Sequence, residues 1–129
     1  DIQLTIVQTA ELDGVVVVTT PQEVALIDAR KAIGLFERVE TPILGIIENM
    51  SYFQCPSDGK IYHIFGEGGG EREAAKLGVP LLGKIPLDIS TRFGGDEGRP
   101  VALEDPGQNP VSAAFRQVAE QCARVVLDR

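Results

Sequence analysis

Cys55 is the side chain of this sequence best suited to bind a soft metal ion. It begins the string Cys55-Pro56-Ser57-Asp58, in which a second cysteine at position 58 would give two thiolates able to grip one metal ion or cluster. Asp58 stands there instead, and His63, the only histidine of the chain, is close enough in sequence to be a partner. The pattern leaves two interpretations open: a metal site with half of its thiolates, or an ordinary exposed thiol.

Polar residues also follow the segments predicted to be strands. Asn49 and Asp88 come just after residues 43–48 and 79–85, and Gln22 comes just after residues 14–20. Ligands of open α/β sheets gather at the carboxyl ends of strands, so Asn49 could read a base edge and Asp88 could hold a sugar or amino group. Turn capping explains both residues equally well. Gln22 is either a contact to phosphate or water, or simply the start of a helix.

Two glycine patterns resemble phosphate-binding loops. Residues 78–84 (GVPLLGK) match GxxxxGK, but Ile85 follows and offers no hydroxyl for magnesium, and Pro86 ends a segment typical of a strand. We therefore interpret this segment as a strand. The glycines of residues 66–70 precede a predicted helix, whose N-terminus could hold an anion. Their spacing departs from GxGxxG, and a tightly turned loop is the favoured interpretation.

The elements that must position these residues alternate between helix and strand. Four consecutive valines in residues 14–20 predict a strand buried on both faces. Helices are predicted to about residue 12 and over 22–38, 71–77 and from Asn109-Pro110 onward, the last with an apolar stripe that includes Phe115 and Cys122. Residues 49–70 are predicted to be irregular, and residues 87–108 to be a loop with at most one helical turn.

This αβαβαβα order predicts a parallel sheet with helices on both faces. Three short strands make a poor sheet by themselves, so we expect further strands from a segment upstream of Asp1. A net charge of -7 without a Lys/Arg stripe argues against nucleic acid and against a polybasic membrane helix as partners. No apolar run reaches the roughly 18 residues that span a bilayer. We expect a cytoplasmic protein with free thiols.

The sequence resembles the Mrp/ApbC-type ATPases, which are close to the Nbp-type cluster scaffolds. The resemblance extends over nearly the whole chain and is carried by the strings DIQLT (1–5), VVVTTPQEVALIDARKAI (16–33), LGIIENMSYFQCP (44–56), IFGEGGGE (64–71), LLGKIPLD (81–88) and NPVSAAFRQVAEQ (109–121). It implies a P-loop NTPase fold of the MinD/ParA and nitrogenase iron protein group. It also implies cytosolic homodimers that bind ATP and magnesium and transfer iron–sulfur clusters to apoproteins.

The resemblance also implies roles for single residues. Asp1 is similar to the acidic residue near magnesium and the attacking water, and is the candidate catalytic residue. Asn49 is similar to the asparagine that reads adenine, and Pro86 and Asp88 to the segment that closes over the base. Cys55 is similar to the first cysteine of a CPxC motif, to which each of two subunits contributes a pair of thiolates.

Two departures from the family pattern limit these expectations. The phosphate-binding loop would lie before Asp1, so residues 1–129 would be the C-terminal part of a single P-loop ATPase domain and should not hydrolyse ATP alone. With Asp58 in the motif, a dimer offers two thiolates rather than four, although the Asp58 carboxylates could complete a weaker site. The leading hypothesis is an ATP-dependent iron–sulfur cluster carrier; the alternative is a MinD/ParA-like nucleotide switch without a cluster.

Overall fold

Helices and strands alternate along the chain, as the sequence predicts. The computed structural model describes residues 2–128, Ser90 by its backbone alone. The helices are α1 (Ile2–Thr9), α2 (Glu23–Arg38), α3 (Gly69–Leu77), α4 (Ile89–Asp96) and α5 (Pro110–Leu127), with a 3-10 turn at Val101–Leu103. The strands are β1 (Val15–Thr19), β2 (Ile43–Glu48), β3 (Phe53–Gln54), β4 (Ile61–Tyr62) and β5 (Leu81–Lys84).

Three of the strands form one parallel sheet in the order β1-β2-β5. Its register sets Thr19 beside Glu48, and Glu48 beside Lys84. The carboxyl ends of the three strands therefore lie side by side, with β2 in the middle. The two short strands β3 and β4 pair with each other as an antiparallel hairpin between β2 and α3.

Helices cover both faces of the sheet, which confirms the predicted fold class. Neighbouring residues of β2 point to opposite faces, Ile46 into one apolar cluster and Ile47 into another. The first cluster joins the sheet to α2 and α3 and contains Val17, Ala29, Ile33, Ile46 and Ala74. The second joins it to α5 and contains Ile47, Leu82, Ile85, Val101, Val111, Ala114 and Val118, with Cys122 packed against it.

The predicted start of the last helix is also confirmed. The Asn109 side chain accepts hydrogen bonds from the backbone N–H groups of Val111 (2.9 Å) and Ser112 (3.1 Å), and Pro110 occupies the first helical position. An N-cap oxygen satisfies amides that have no partner within the helix, and proline has no amide to satisfy there. Asn109 and Pro110 therefore fix where α5 begins.

Residues 87–108 contain more helix than predicted. α4 has eight residues, so the expectation of at most one helical turn is wrong. Gly94 and Gly95 misled the prediction, because glycine disfavours helix interiors. Asp88 caps α4 through Thr91, which offsets part of that cost. Residues 49–70 are likewise less irregular than predicted, since they contain the β3–β4 hairpin.

Two further predictions of burial are wrong. Val18 is 58% exposed, so the prediction that β1 is buried on both faces is wrong for this chain. Within residues 2–128, β1 pairs with β2 alone, and α1 buries none of its side chains. Phe115, predicted to lie on the buried stripe of α5, is 38% exposed.

Candidate functional site

A cavity of about 240 Å³ lies where β2 and β5 end. Asn49, Pro86 and Asp88 all line it, so the structure brings together three of the residues predicted from the sequence. Phe115 and Arg92 line its other side. The exposed position of Phe115, unexpected for a core residue, thus adds an aromatic face to this cavity. That Asn49, Pro86 and Asp88 contact a ligand stays a prediction.

Asn49 directly follows β2, and its backbone ties it to the end of the neighbouring strand β1. Its N–H donates to the carbonyl oxygen of Thr19 over 2.7 Å, and its Oδ1 accepts from the N–H of Met50 over 2.9 Å. The side chain therefore performs the turn capping that the sequence allowed. Of the hydrogen bonds found among residues 2–128, none engages its amide nitrogen, which leaves a donor for a ligand.

Asp88 is the N-cap of α4. One carboxylate oxygen, Oδ2, accepts from the N–H of Thr91 at 3.2 Å and from its hydroxyl at 3.4 Å. Capping by a carboxylate is favourable because it also faces the positive end of the helix dipole. Asp88 thus has a structural role whether or not it also contacts a ligand.

The other two residues predicted for the nucleotide site, Gln22 and Asp1, lie apart from this cavity or outside the described residues. Gln22 precedes α2 without capping it, and its Oε1 accepts from the hydroxyl of Thr20 over 3.2 Å. Thr20 and Asn49 line a separate cavity of about 380 Å³ beside β1. Asp1 lies outside residues 2–128, so its catalytic and magnesium-side role stays a prediction.

Cys55 sits in the turn that joins β3 to β4. Its N–H donates to the carbonyl oxygen of Lys60 (2.9 Å), and its own carbonyl accepts from the N–H of Gly59 (2.8 Å). The half-buried thiol lies 3.1 Å from the hydroxyl of Ser57. It also lines a cavity of about 350 Å³. The backbone bonds hold the thiol in a closed turn.

Asp58 uses both carboxylate oxygens within the same turn. Oδ1 accepts from the N–H of Lys60 over 2.9 Å, and Oδ2 lies 3.4 Å from the hydroxyl of Tyr62. Among residues 2–128, no three His, Cys, Asp or Glu side chains are grouped closely enough to hold a metal ion. One copy of the chain therefore offers a metal a single thiolate and a carboxylate that is already bonded.

The segment from Pro86 to Asp88 is a common wall of two cavities. One is the cavity of about 240 Å³ at the ends of β2 and β5, called the Asn49 cavity below, and the other is the cavity of about 350 Å³ lined by Cys55, called the Cys55 cavity. Leu87 also connects this wall to the β3–β4 hairpin that bears Cys55, because its N–H donates to the carbonyl oxygen of Tyr52 over 2.8 Å. Phe53 of β3 pairs with Leu87 in a parallel bridge. A displacement of the wall would therefore affect both cavities.

Sequence reasoning missed a buried carboxylate at the end of β2. Glu48 is 1% exposed, and its Oε1 accepts from the hydroxyl of Ser51 over 2.5 Å. Its Oε2 accepts from the N–H of Gly70 in the first turn of α3 over 2.6 Å. The available signal was a charged residue ending an otherwise apolar strand, since a buried charge needs partners.

Two ion pairs fix α3 against its neighbours. Glu71 pairs with Lys84 of β5, and this hydrogen bond and charge lower the pKa of Glu71 and raise that of Lys84. Glu73 pairs with Arg30 of α2; the hydrogen bond, followed by the charge, lowers the pKa of the Glu73 carboxyl below its ordinary 4.5. These pairs hold the helix whose N-terminus faces Glu48.

The parallel sheet between two helical layers defines an α/β protein, and its cavity lies beyond the carboxyl ends of the strands, where open α/β sheets commonly bind ligands. The chain belongs to the ParA family of NUBPL iron-transfer P-loop NTPases, which it matches over residues 1–123. This membership confirms the predicted family resemblance. None of the helices within residues 2–128 is long and apolar enough to cross a membrane.

Three relatives illustrate the family and the fold. The iron-sulfur cluster carrier protein of Pyrococcus furiosus is 49% identical over 92% of this chain, which spans 39% of that protein. A nucleotide-binding protein from Archaeoglobus fulgidus, solved in complex with ADP, is 41% identical with a TM-score of 0.66, over 74% of this chain and 40% of that one. The cell division ATPase MinD of Pyrococcus furiosus is 27% identical with a TM-score of 0.66, over 88% and 43%.

Proposed function

We propose that this chain is the base-recognising and cluster-carrying part of an ATP-dependent iron–sulfur cluster carrier. The observation that carries the proposal is the common wall at residues 86–88, which separates a candidate base cavity from the cavity of Cys55 in a member of an iron-transfer family. A relative named as a cluster carrier and another bound to ADP support the two halves of this activity.

The Asn49 cavity is the proposed site for adenine. An asparagine amide can pair with the adenine edge, which presents a ring-nitrogen acceptor beside an amino donor. Pro86 and Phe115 offer apolar surfaces to the base, and Asp88 lines the same cavity. Gln22 lies apart from this cavity, beside Thr20, and is proposed as a contact on the phosphate side of the nucleotide. The phosphates and magnesium would be held by a phosphate-binding loop outside these 129 residues, with Asp1 near the magnesium. The isolated chain should therefore not hydrolyse ATP.

The cluster is proposed to be the cargo of a cytoplasmic homodimer that delivers it to apo iron–sulfur proteins. Each copy contributes the Cys55 thiolate, and a cluster with four protein ligands needs two more. Asp58 can supply them, but each of its carboxylate oxygens already has a hydrogen-bond partner, Lys60 or Tyr62. Oxygen ligands are also harder than thiolates and suit a cluster less well. The proposal thus includes a labile cluster.

Replacing Asp58 by cysteine tests the cluster half of the proposal. Asp58→Cys restores a pair of thiolates at CxxC spacing, so anaerobic reconstitution of the full-length gene product should give more bound iron and slower loss of the cluster to a chelator than in wild type. Asp58→Ser is the matched control, because it removes the same carboxylate without adding a thiol. Cys55→Ala should abolish cluster absorbance. Equal cluster content in Cys55→Ala and wild type would refute the carrier proposal.

A nucleotide switch without a metal is the second candidate. The engaged carboxylate of Asp58 favours it, because the turn is complete without a metal. This candidate predicts dimerisation that depends on ATP in protein that contains no iron, with the same dependence in Cys55→Ala. Analytical ultracentrifugation of both proteins with ATP and with ADP distinguishes it from the carrier.

A further inference from the structure

Glu48 joins the two ends of the excursion that carries Cys55. This excursion, residues 49–70, leaves the sheet at the end of β2 and returns at the start of α3. One oxygen of the Glu48 carboxylate accepts from Ser51 near its beginning, and the other accepts from Gly70 at its end. The carboxylate thus holds the two ends of residues 49–70 together.

The hydrogen bonds that hold these two ends together also fix the wall of the Asn49 cavity. Ser51 is bonded twice, since its N–H donates to the carbonyl oxygen of Ile85 over 3.0 Å while its hydroxyl donates to Glu48. The N–H of Ile85 in turn donates to the carbonyl oxygen of Glu48 over 2.9 Å. Between these anchors Met50 adopts a φ of 51°, in the left-handed region that non-glycine residues seldom occupy. The turn bearing Asn49 is therefore held from both sides.

A carboxylate is well suited to this position. A buried charge is costly unless hydrogen bonds compensate it, and here one donor is the amide of Gly70 at the positive end of the α3 dipole. Gly70 has no side chain, which allows the close approach. Glu48 itself lines neither the Asn49 cavity nor the Cys55 cavity. Its contacts point to holding the surrounding segments rather than touching a ligand.

We propose that Glu48 is a positioning residue, which holds the turn bearing Asn49 and the β3–β4 hairpin bearing Cys55 in one fixed arrangement. The inference rests on the proposed function for its nucleotide half, whereas its thiol half can be measured without any nucleotide. Cutting one hydrogen bond of the carboxylate should loosen both segments together.

Ser51→Ala in the full-length gene product is the test. It removes the hydroxyl donor at the beginning of the excursion and leaves the bond to Gly70. Ser112→Ala is the matched control, because Ser112 is 2% exposed, its hydroxyl donates over 2.6 Å to the carbonyl oxygen of Glu104, and neither residue lines either cavity. The first measurement is the rate of Cys55 alkylation by iodoacetamide, followed by peptide mass spectrometry with half-buried Cys122 as the internal reference.

In Ser51→Ala, the Cys55 rate relative to Cys122 should rise by about one to two orders of magnitude, the change expected for losing one hydrogen bond to a charged group. The second measurement is the ratio of ATP to GTP affinity, which should fall in Ser51→Ala. Ser112→Ala should change neither quantity. If Ser51→Ala does not fold, Glu48→Gln is expected to shift both quantities in the same direction by a smaller factor, because its amide can still bond to both partners.

An unchanged Cys55 rate, or the same rise in Ser112→Ala, would overturn the inference. If wild type prefers ATP to GTP, a changed Cys55 rate with an unchanged ratio of ATP to GTP affinity would overturn it as well. A wild type that binds no ATP would instead overturn the proposed function, and the alkylation rates would still decide whether Glu48 positions the Cys55 hairpin.

Discussion

Gly70→Ala should destabilise the protein although it places a better helix former in a helix. A Cβ at this position would lie 2.6 Å from Oε2 of Glu48 and 3.1 Å from its Cβ. The carboxylate cannot retreat freely, because it is buried and its other oxygen is bonded to Ser51. The substitution must therefore break the hydrogen bond from the Gly70 amide or displace α3.

The magnitude follows from three effects. Overpacking a closed site costs about 1–3 kcal/mol. Losing a hydrogen bond to a charged group costs about 1.5–3 kcal/mol. The higher helix propensity of alanine returns at most about 1 kcal/mol. The free energy of unfolding should therefore fall by about 2–5 kcal/mol, a large part of the stability of a small domain.

Urea unfolding followed by circular dichroism measures this change, and Gly34→Ala is the matched control. Gly34 lies inside α2, and a Cβ there would meet no atom within 4 Å. The same substitution should therefore stabilise by about 0.5–1 kcal/mol at Gly34. In a Glu48→Ala background most of the cost of Gly70→Ala should disappear, since the close carboxylate is gone. Equal effects at the two glycines, or an undiminished cost in that background, would refute the reasoning.

Three further changes test other parts of the packing. Glu73→Gln removes the carboxylate whose pKa is lowered first by its hydrogen bond from Arg30 and then by the charge of that residue. The stability advantage of wild type over this variant should be complete above pH 4.5 and lost as pH falls through the lowered pKa, as urea unfolding at several pH values would reveal. Gly83→Ala would put a Cβ 2.5 Å from Cγ2 of Val118, so it should cost about 1–3 kcal/mol and lower Tm, with partial recovery when combined with Val118→Ala. Asn109→Ala removes the cap of α5 and should cost about 1 kcal/mol in thermal unfolding, and a Tm equal to wild type would contradict that role.

The main elements of the fold were predictable because their signals are local. The start of α5 follows from Asn109 and Pro110, and the buried strand β2 follows from a continuous apolar run. The errors have non-local causes. Val18 is exposed because it points to the face of β1 opposite α2, and α5 on that face lies over β2 and β5, which the residues of β1 do not specify. α4 forms despite Gly94 and Gly95, and its first turn is capped by Asp88.

The candidate site was predictable where a general rule applies and not where it depends on packing. The rule that ligands bind beyond the carboxyl ends of parallel strands brought Asn49, Pro86 and Asp88 into one cavity. It could not specify the contribution of Phe115, which depends on the angle at which α5 packs. It also could not specify that Asp58 bonds within its own turn, since that depends on the length of the hairpin.

The glycine cluster of residues 66–70 is best explained by Glu48 and by the turn after β1. Gly66 and Gly68 have φ values of 120° and 74°, so the chain turns there in conformations that other residues resist. A Cβ on Gly69 would lie 3.0 Å from the carbonyl oxygen of Pro21, and one on Gly70 would meet Glu48. Because a buried carboxylate at the end of a central strand requires donors, this segment must approach the sheet closely, and only residues without side chains can do so. The cluster therefore allows the Gly70 amide to reach the sheet, and the anion that this amide faces is the carboxylate of Glu48.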